Sequence, residues 1–252
     1  MSSLRIARLV ARKDLAIERR SKVAINQVLP FAAITMILFA FALDSSGGES
    51  GSVIESVEVT DPQRVIRTTD VLELVAPGLI WLAVLFSLLI LVQRSFAVES
   101  DDGALDALRV AGVDPAAIFW GKAVALGIQL LVLEIVLVGI AVLLYRADLP
   151  PAGLGMLAIT LFAATCGLAF VGTLYGGLTA GFSGRESLLP LLVLPVVAPV
   201  LIGATRAVES AFGTDGVALS EGWPWIGLLV VFAVAFGVGG ALAFGPLIDE
   251  AT

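Results

Sequence analysis

The sequence predicts an all-α membrane protein: six transmembrane helices preceded by an N-terminal interfacial helix. Three observations predict it. The run Leu72–Gln93, LELVAPGLIWLAVLFSLLILVQ, is too long for an ordinary core helix and matches a hydrocarbon layer roughly 30 Å thick. The chain of 252 residues is 58% hydrophobic and 15% charged, with a mean hydropathy of +1.01, which leaves too little polar surface to cover a water-soluble globule. Finally, apolar blocks of spanning length recur along the chain, separated by short charged segments.

The first 24 residues read as an amphipathic helix. At 100° per residue Arg5, Arg8, Arg12 and Arg19 form one stripe, while Ile6, Val10 and Ile17 gather on another face. Such a helix is expected to lie along the membrane surface with its arginines on lipid phosphates. The six spans follow: Ile25–Leu43, Leu72–Gln93, Ala123–Tyr145, Gly153–Ala180, Ser187–Thr205 and Trp223–Gly245. Ala40-Phe41-Ala42 has the A-x-A pattern of a signal-peptide cleavage site, but the 24 residues ahead of the apolar run argue for a retained first span. Residues 44–71 are polar and rich in Ser, Gly and acid, an external loop; 246–252 form a short tail.

Orientation follows from the cations. Arg5, Arg8, Arg12, Lys13, Arg19, Arg20, Lys22, Arg94, Arg109, Lys122 and Arg185 fall on one side of a six-span topology, and Arg64, Arg67, Arg146 and Arg206 on the other. The positive-inside rule then places both termini in the cytoplasm. The formal charge of -7 gives no reason to expect a nucleic-acid partner.

Residues 94–122, on the cytoplasmic side, carry several mutually consistent local signals. Asp101 or Asp102 is placed to cap a short helix in which Leu105 and Leu108 share a face. Gly112 suits a left-handed helix end with Val113 as its apolar contact. Asp114-Pro115 restarts a helix at once. The exposed leucine edge is expected to dock on a separate cytoplasmic protein, with packing on the chain's own spans as the alternative.

What is absent narrows the chemistry. There is no phosphate-binding GxxxxGK[ST] loop, so nucleotide is hydrolysed elsewhere. Without a single histidine, Ser-His hydrolysis, zincin chemistry and His-ligated haem are excluded for this chain. Cys166 reads as a packing residue rather than an iron ligand. No catalytic residues and no metal site are assigned. An intramembrane enzyme using Glu134 with Asp148 or Tyr145 is the least favoured reading. Glu134 is the one acid well inside a span, where it must be protonated, paired or wetted; it marks either a transport route or a subunit contact, or simply a hydrogen bond within the bundle.

Gly172 with Gly176, and Gly177 with Gly181, are small-xxx-small pairs for close helix packing, inside the chain or across a dimer. Gly237-Val238-Gly239-Gly240 lacks the preceding strand of a dinucleotide loop. Pro190, Pro195 and Pro199 are expected to bend or break span five.

The stretches KDLAIERRSK (Lys13–Lys22), APGLIWLAVLFSLL (Ala76–Leu89), QRSFAVESDDGALDALRVAGV (Gln93–Val113), WGK (Trp120–Lys122) and RESLLPLLVLPVVAPVLIGAT (Arg185–Thr205) resemble the haem exporter B subunits of cytochrome c maturation, the CcmB family. The chain departs from many members at Gln93, where they have Glu, and in lacking a His shortly after Lys122. The resemblance implies the permease of an ATP-binding-cassette (ABC) system with the type-2 exporter fold, which often has a short external re-entrant element, here over 203–222, and which is housed in the bacterial inner membrane. It implies a homodimer working with an ATPase subunit that holds ATP and Mg, a haem-handling membrane subunit, a small accessory subunit and a haem chaperone. No cofactor is implied for this chain, and haem is handled by the complex. The matched Phe96, Glu99, Asp102, Gly103, Leu105 and Leu108 become the implied ATPase-coupling contacts. A type-2 exporter of another apolar substrate, lipid or drug, is the alternative.

Overall fold

The computed structural model describes residues 3–46, 71–101, 112–144, 149–180 and 185–250, with side chains left undescribed at 43–46, 71–73, 98–101, 185–186, 215 and 247–250. Among the described residues every regular element is helical: α1 (Ser3–Ser21), α2 (Leu29–Ser46), α3 (Val71–Asp101), α4 (Pro115–Leu144), α5 (Pro151–Thr179), α6 (Arg185–Phe212) and α7 (Gly222–Glu250). Six stretches are long and apolar enough to cross a membrane: Ala24–Ala42, Leu74–Ala97, Pro115–Leu144, Pro151–Thr179, Ser187–Phe212 and Leu219–Pro246. The protein is an all-α, multi-pass membrane protein.

The corner between α1 and α2 is made by Lys22, the one non-glycine residue at positive φ (52°) among those described. Glu18 holds it from both ends: its carbonyl accepts from the Lys22 amide at 2.7 Å and its carboxylate from the Ala24 amide at 2.6 Å. A π-helical turn, Ala24–Val28, then leads into α2.

Centrally placed α5 packs on α7, α6, α4 and α3. Helices in lipid gain little from burying apolar surface, so close contact depends on small residues. A Cβ on Gly172 would lie 2.8 Å from Val92 of α3, and one on Gly177 would lie 2.6 Å from the Phe244 ring of α7. These glycines therefore serve packing inside the chain; Gly181 lies outside the described residues. At the other end of α5 a Cβ on Gly153 would collide with the Ala211 carbonyl of α6.

That last contact explains a departure from expectation. Helix α6 does not stop near Thr205 but runs to Phe212, with Ala207, Val208 and Ala211 fully buried. Gly213 at φ 68° ends it, and two 3-10 turns, Thr214–Gly216 and Leu219–Glu221, lead into α7. Among the described residues of 203–222 there is no further α-helix between α6 and α7. Nor do Pro190, Pro195 and Pro199 break α6: the backbone stays helical through all three, as neighbouring helices and small local adjustments allow in membrane helices.

The expected loop 94–122 is shorter than the sequence indicated. Helix α3 runs through Asp101 and α4 starts at Pro115 rather than Ala123; the short helix expected after Asp101 or Asp102 lies outside the described residues. Asp114 does restart the helix, its carboxylate accepting from the Ala116 amide at 3.1 Å, and Gly112 is left-handed at φ 66°. The Gly237-Gly240 run lies within α7, and no strand occurs among the described residues.

Gly153→Val should lower thermal stability, by about 1–3 kcal/mol for overpacking against immovable backbone. Gly139→Val, where nothing lies within 4 Å of the new Cβ, should leave the melting curve in detergent nearly unchanged.

Candidate functional site

Lys122 is a cation almost wholly removed from solvent, 2% exposed, near the start of α4. Its position follows from Gly121 beside it. A Cβ there would lie 2.7 Å from both the Ala7 carbonyl and Val10 Cβ, so α1 rests directly on the α4 backbone and covers the lysine. The Lys122 ammonium donates to Asp14 Oδ2 of α1 and to Ser95 Oγ of α3, each at 3.4 Å. It also lies 4.4 Å from the centroid of the Phe96 ring, a cation-π contact strengthened by desolvation. Lys13 Nζ approaches the other Asp14 oxygen at 3.2 Å. Phe96 in turn packs on Gly176 of α5, where a Cβ would lie 2.5 Å from its ring. One buried charge thus joins four helices at the end of the bundle from which residues 102–111 depart.

A cleft of about 40 Å³ adjoins this junction between α1, α3 and α4, lined by Asp14, Glu18, Arg94, Ser95 and Gln129. It is large enough for ordered water but not for an organic ligand.

Of the implied coupling residues, Phe96 is buried in this junction and Glu99 lies in the last turns of α3, its side chain undescribed. Asp102, Gly103, Leu105 and Leu108 lie outside the described residues. Arg5, Arg8, Arg12 and Arg19 are all exposed. The apolar stripe opposite them divides: Val10 is buried against α4, whereas Ile17 is 37% exposed and Leu9 50%. Helix α1 therefore presents one side to the protein, one of arginines, and one of aliphatic side chains to its surroundings.

Glu134 lies 12 residues beyond Lys122, roughly 18 Å along α4 at 1.5 Å per residue, and is fully buried. Thr165 Oγ1 of α5 sits 2.6 Å from Glu134 Oε2 and 2.6 Å from the Leu161 carbonyl oxygen. The hydroxyl has one hydrogen for two oxygens, so both contacts are hydrogen bonds only where the carboxyl group supplies the second. Glu134 Oε1 has no hydrogen-bonding partner among the described residues. Asp148 and Tyr145 lie outside the described residues, and no group of three or more metal-ligating side chains occurs among the described ones. Cys166 is half-buried at the edge of an apolar groove of about 300 Å³ with Trp120, Phe162 and Phe170.

Sequence reasoning missed Asp14, Ser95 and Lys122 as a site. A signal existed: Lys122 is the lone cation inside an apolar run, and Asp14 one of two acids on a helix otherwise rich in Arg and Lys. Nothing in the sequence indicated that the two would meet across 108 residues.

The profile of a family described as CcmB protein matches residues 62–244. Similar relatives include the Heme exporter protein B of Rhodobacter capsulatus, 34% identical over 60% of this chain and 67% of the relative. That of Haemophilus influenzae is 33% identical over 80% of each chain. The Paracoccus denitrificans protein of the same name is 28% identical over 81% of this chain and 83% of its own length.

Asp14→Ala should lower stability by about 3 kcal/mol, because it removes a carboxylate from beside a buried ammonium. Adding Lys122→Met should recover much of that loss. Thermal unfolding of the three variants in one detergent checks both expectations.

Proposed function

The chain belongs to the CcmB protein family, and from that premise we propose that it is the permease of an ABC transporter acting in haem delivery for cytochrome c maturation. The observation that carries this reading is the family match across 62–244, which spans five of the six membrane-length helices. The relatives' printed name, Heme exporter protein B, supplies the cargo. Because the sequence has no phosphate-binding loop, ATP and Mg belong to a separate ATPase subunit. Its docking surface is the segment around Leu105 and Leu108, together with Glu99, Asp102 and Gly103. The chain works as a homodimer in the bacterial inner membrane with both termini cytoplasmic. A haem-handling subunit, a small accessory subunit and a haem chaperone complete the system, whose output is release of the loaded chaperone. With no histidine here, any imidazole on the haem iron comes from those partners.

The junction at Lys122 supplies a mechanical route for the coupling. A push on residues 102–111 reaches α3 on one flank and α4 on the other. Phe96 bears on α5 through Gly176, and Lys122 ties the movement to α1 through Asp14. Packed interfaces of this kind switch between discrete arrangements rather than deform continuously. The exposed arginines of α1 anchor the moving group to lipid phosphates.

Deleting the gene should abolish covalently haem-bearing c-type cytochromes, read by peroxidase staining of membranes; unchanged cytochromes would assign another apolar cargo. Separately, Leu105→Asp with Leu108→Asp should insert into membrane normally yet lose at least 10-fold of the co-purifying ATPase. Retention of the ATPase would refute the docking assignment.

A further inference from the structure

At the end of the bundle away from Lys122, a groove of about 330 Å³ opens between α3 and α6. Its lower part is apolar, formed by Gly78 and Leu82 facing Leu201 and Ile202. Gly78 keeps it open, for nothing lies within 4 Å of where its Cβ would stand. At the mouth, Arg206 Nη1 donates to Glu209 Oε2 at 2.9 Å. This pair lies at headgroup depth: Arg206 is 19 residues beyond Ser187, roughly 29 Å along α6, about the thickness of the hydrocarbon layer. Trp81 forms part of the wall, and its indole N–H has no acceptor among the described residues although the side chain is 1% exposed.

The charges at the mouth identify the occupant. Arg206 keeps guanidinium N–H groups beyond the one given to Glu209, and Glu209 keeps lone pairs beyond those it uses. Side by side they offer a phosphate a cation and an ammonium group a carboxylate. A purely anionic head would meet Glu209, and a quaternary ammonium head brings no N–H to donate. We propose that this groove binds one phospholipid of the ethanolamine type, from the leaflet away from the N terminus. Its phosphate lies on Arg206, its primary ammonium on Glu209, and an acyl chain runs past Gly78 toward Leu82 and Ile202.

The test is native mass spectrometry of the full chain in mild detergent, incubated with phosphatidylethanolamine, phosphatidylglycerol or phosphatidylcholine. One phosphatidylethanolamine per chain should be retained at least 5-fold better than either other lipid. Gly78→Leu should cut retention 10-fold, while Gly139→Leu, on another open helix surface, should leave it unchanged. Glu209→Gln should bring phosphatidylethanolamine and phosphatidylglycerol to parity. Equal retention of the three lipids by the unaltered chain, or undiminished retention by a folded Gly78→Leu variant, overturns the proposal. One-for-one displacement by haemin would assign the groove to cargo. Cross-linking between chains through Ile202→Cys without retained lipid would assign it to a second copy. Either result overturns the proposal as well.

Discussion

Hydrocarbon offers no hydrogen-bond partner to a backbone amide or carbonyl, and every feature of this chain answers to that. Each spanning segment must satisfy its own backbone, which leaves the helix as the available form. The same constraint explains why α6 remains helical through three prolines. A break there would place several unpartnered carbonyls in lipid, whereas one helix with local adjustments exposes few. It also accounts for the ends of α3 and α4, which extend past the apolar runs read from sequence. Nothing obliges a helix to stop where it leaves the hydrocarbon layer.

Once the helices exist, lipid supplies little force to bring them together, because a leucine is as well solvated by an acyl chain as by another leucine. Contact is then decided by how closely backbones approach. Helix α5 is the hub because its glycines let neighbours reach its backbone: Phe96 and Val92 of α3 on one side, Phe244 of α7 on another, and the Ala211 carbonyl of α6 at its far end. Van der Waals attraction falls steeply with separation, so a methyl group at any of these points forfeits many contacts at once.

Several polar side chains inside the bundle, Ser87, Thr179 and Ser210 among them, bond back to their own helix, and two carboxyl or ammonium groups are met from another helix. Glu134 meets Thr165 between α4 and α5. Lys122 meets Asp14, Ser95 and Phe96 across α1, α3 and α4. The second cluster bears on the proposed function because it flanks the segment, 102–111, that is proposed to receive an ATPase. A buried ion pair adds little net stability against an apolar replacement, but removing one partner is severe. It therefore acts as a specific fastener, holding α1 in one register on α4 and passing displacement between helices that share little other polar contact.

Sequence alone determined the class of the protein, because spanning length and hydropathy are local properties that lipid reads directly. Six membrane helices, the left-handed Gly112 and the Asp114 restart were all legible for that reason, as was the exposed arginine stripe of α1. The family resemblance was legible from the order of weak motifs, since their spacing survives where individual residues vary. Only the tertiary structure decided that Asp14 finds Lys122, that Val10 turns to α4 instead of lipid, and that Arg206 and Glu209 frame a groove with Trp81. Apart from the Arg206–Glu209 pair, which α6 itself brings together, those contacts join residues on different helices. Helix rotation and depth, set by the close approaches at Gly121, Gly153 and Gly176, determine them, and a one-dimensional pattern of apolar and polar letters carries no record of either.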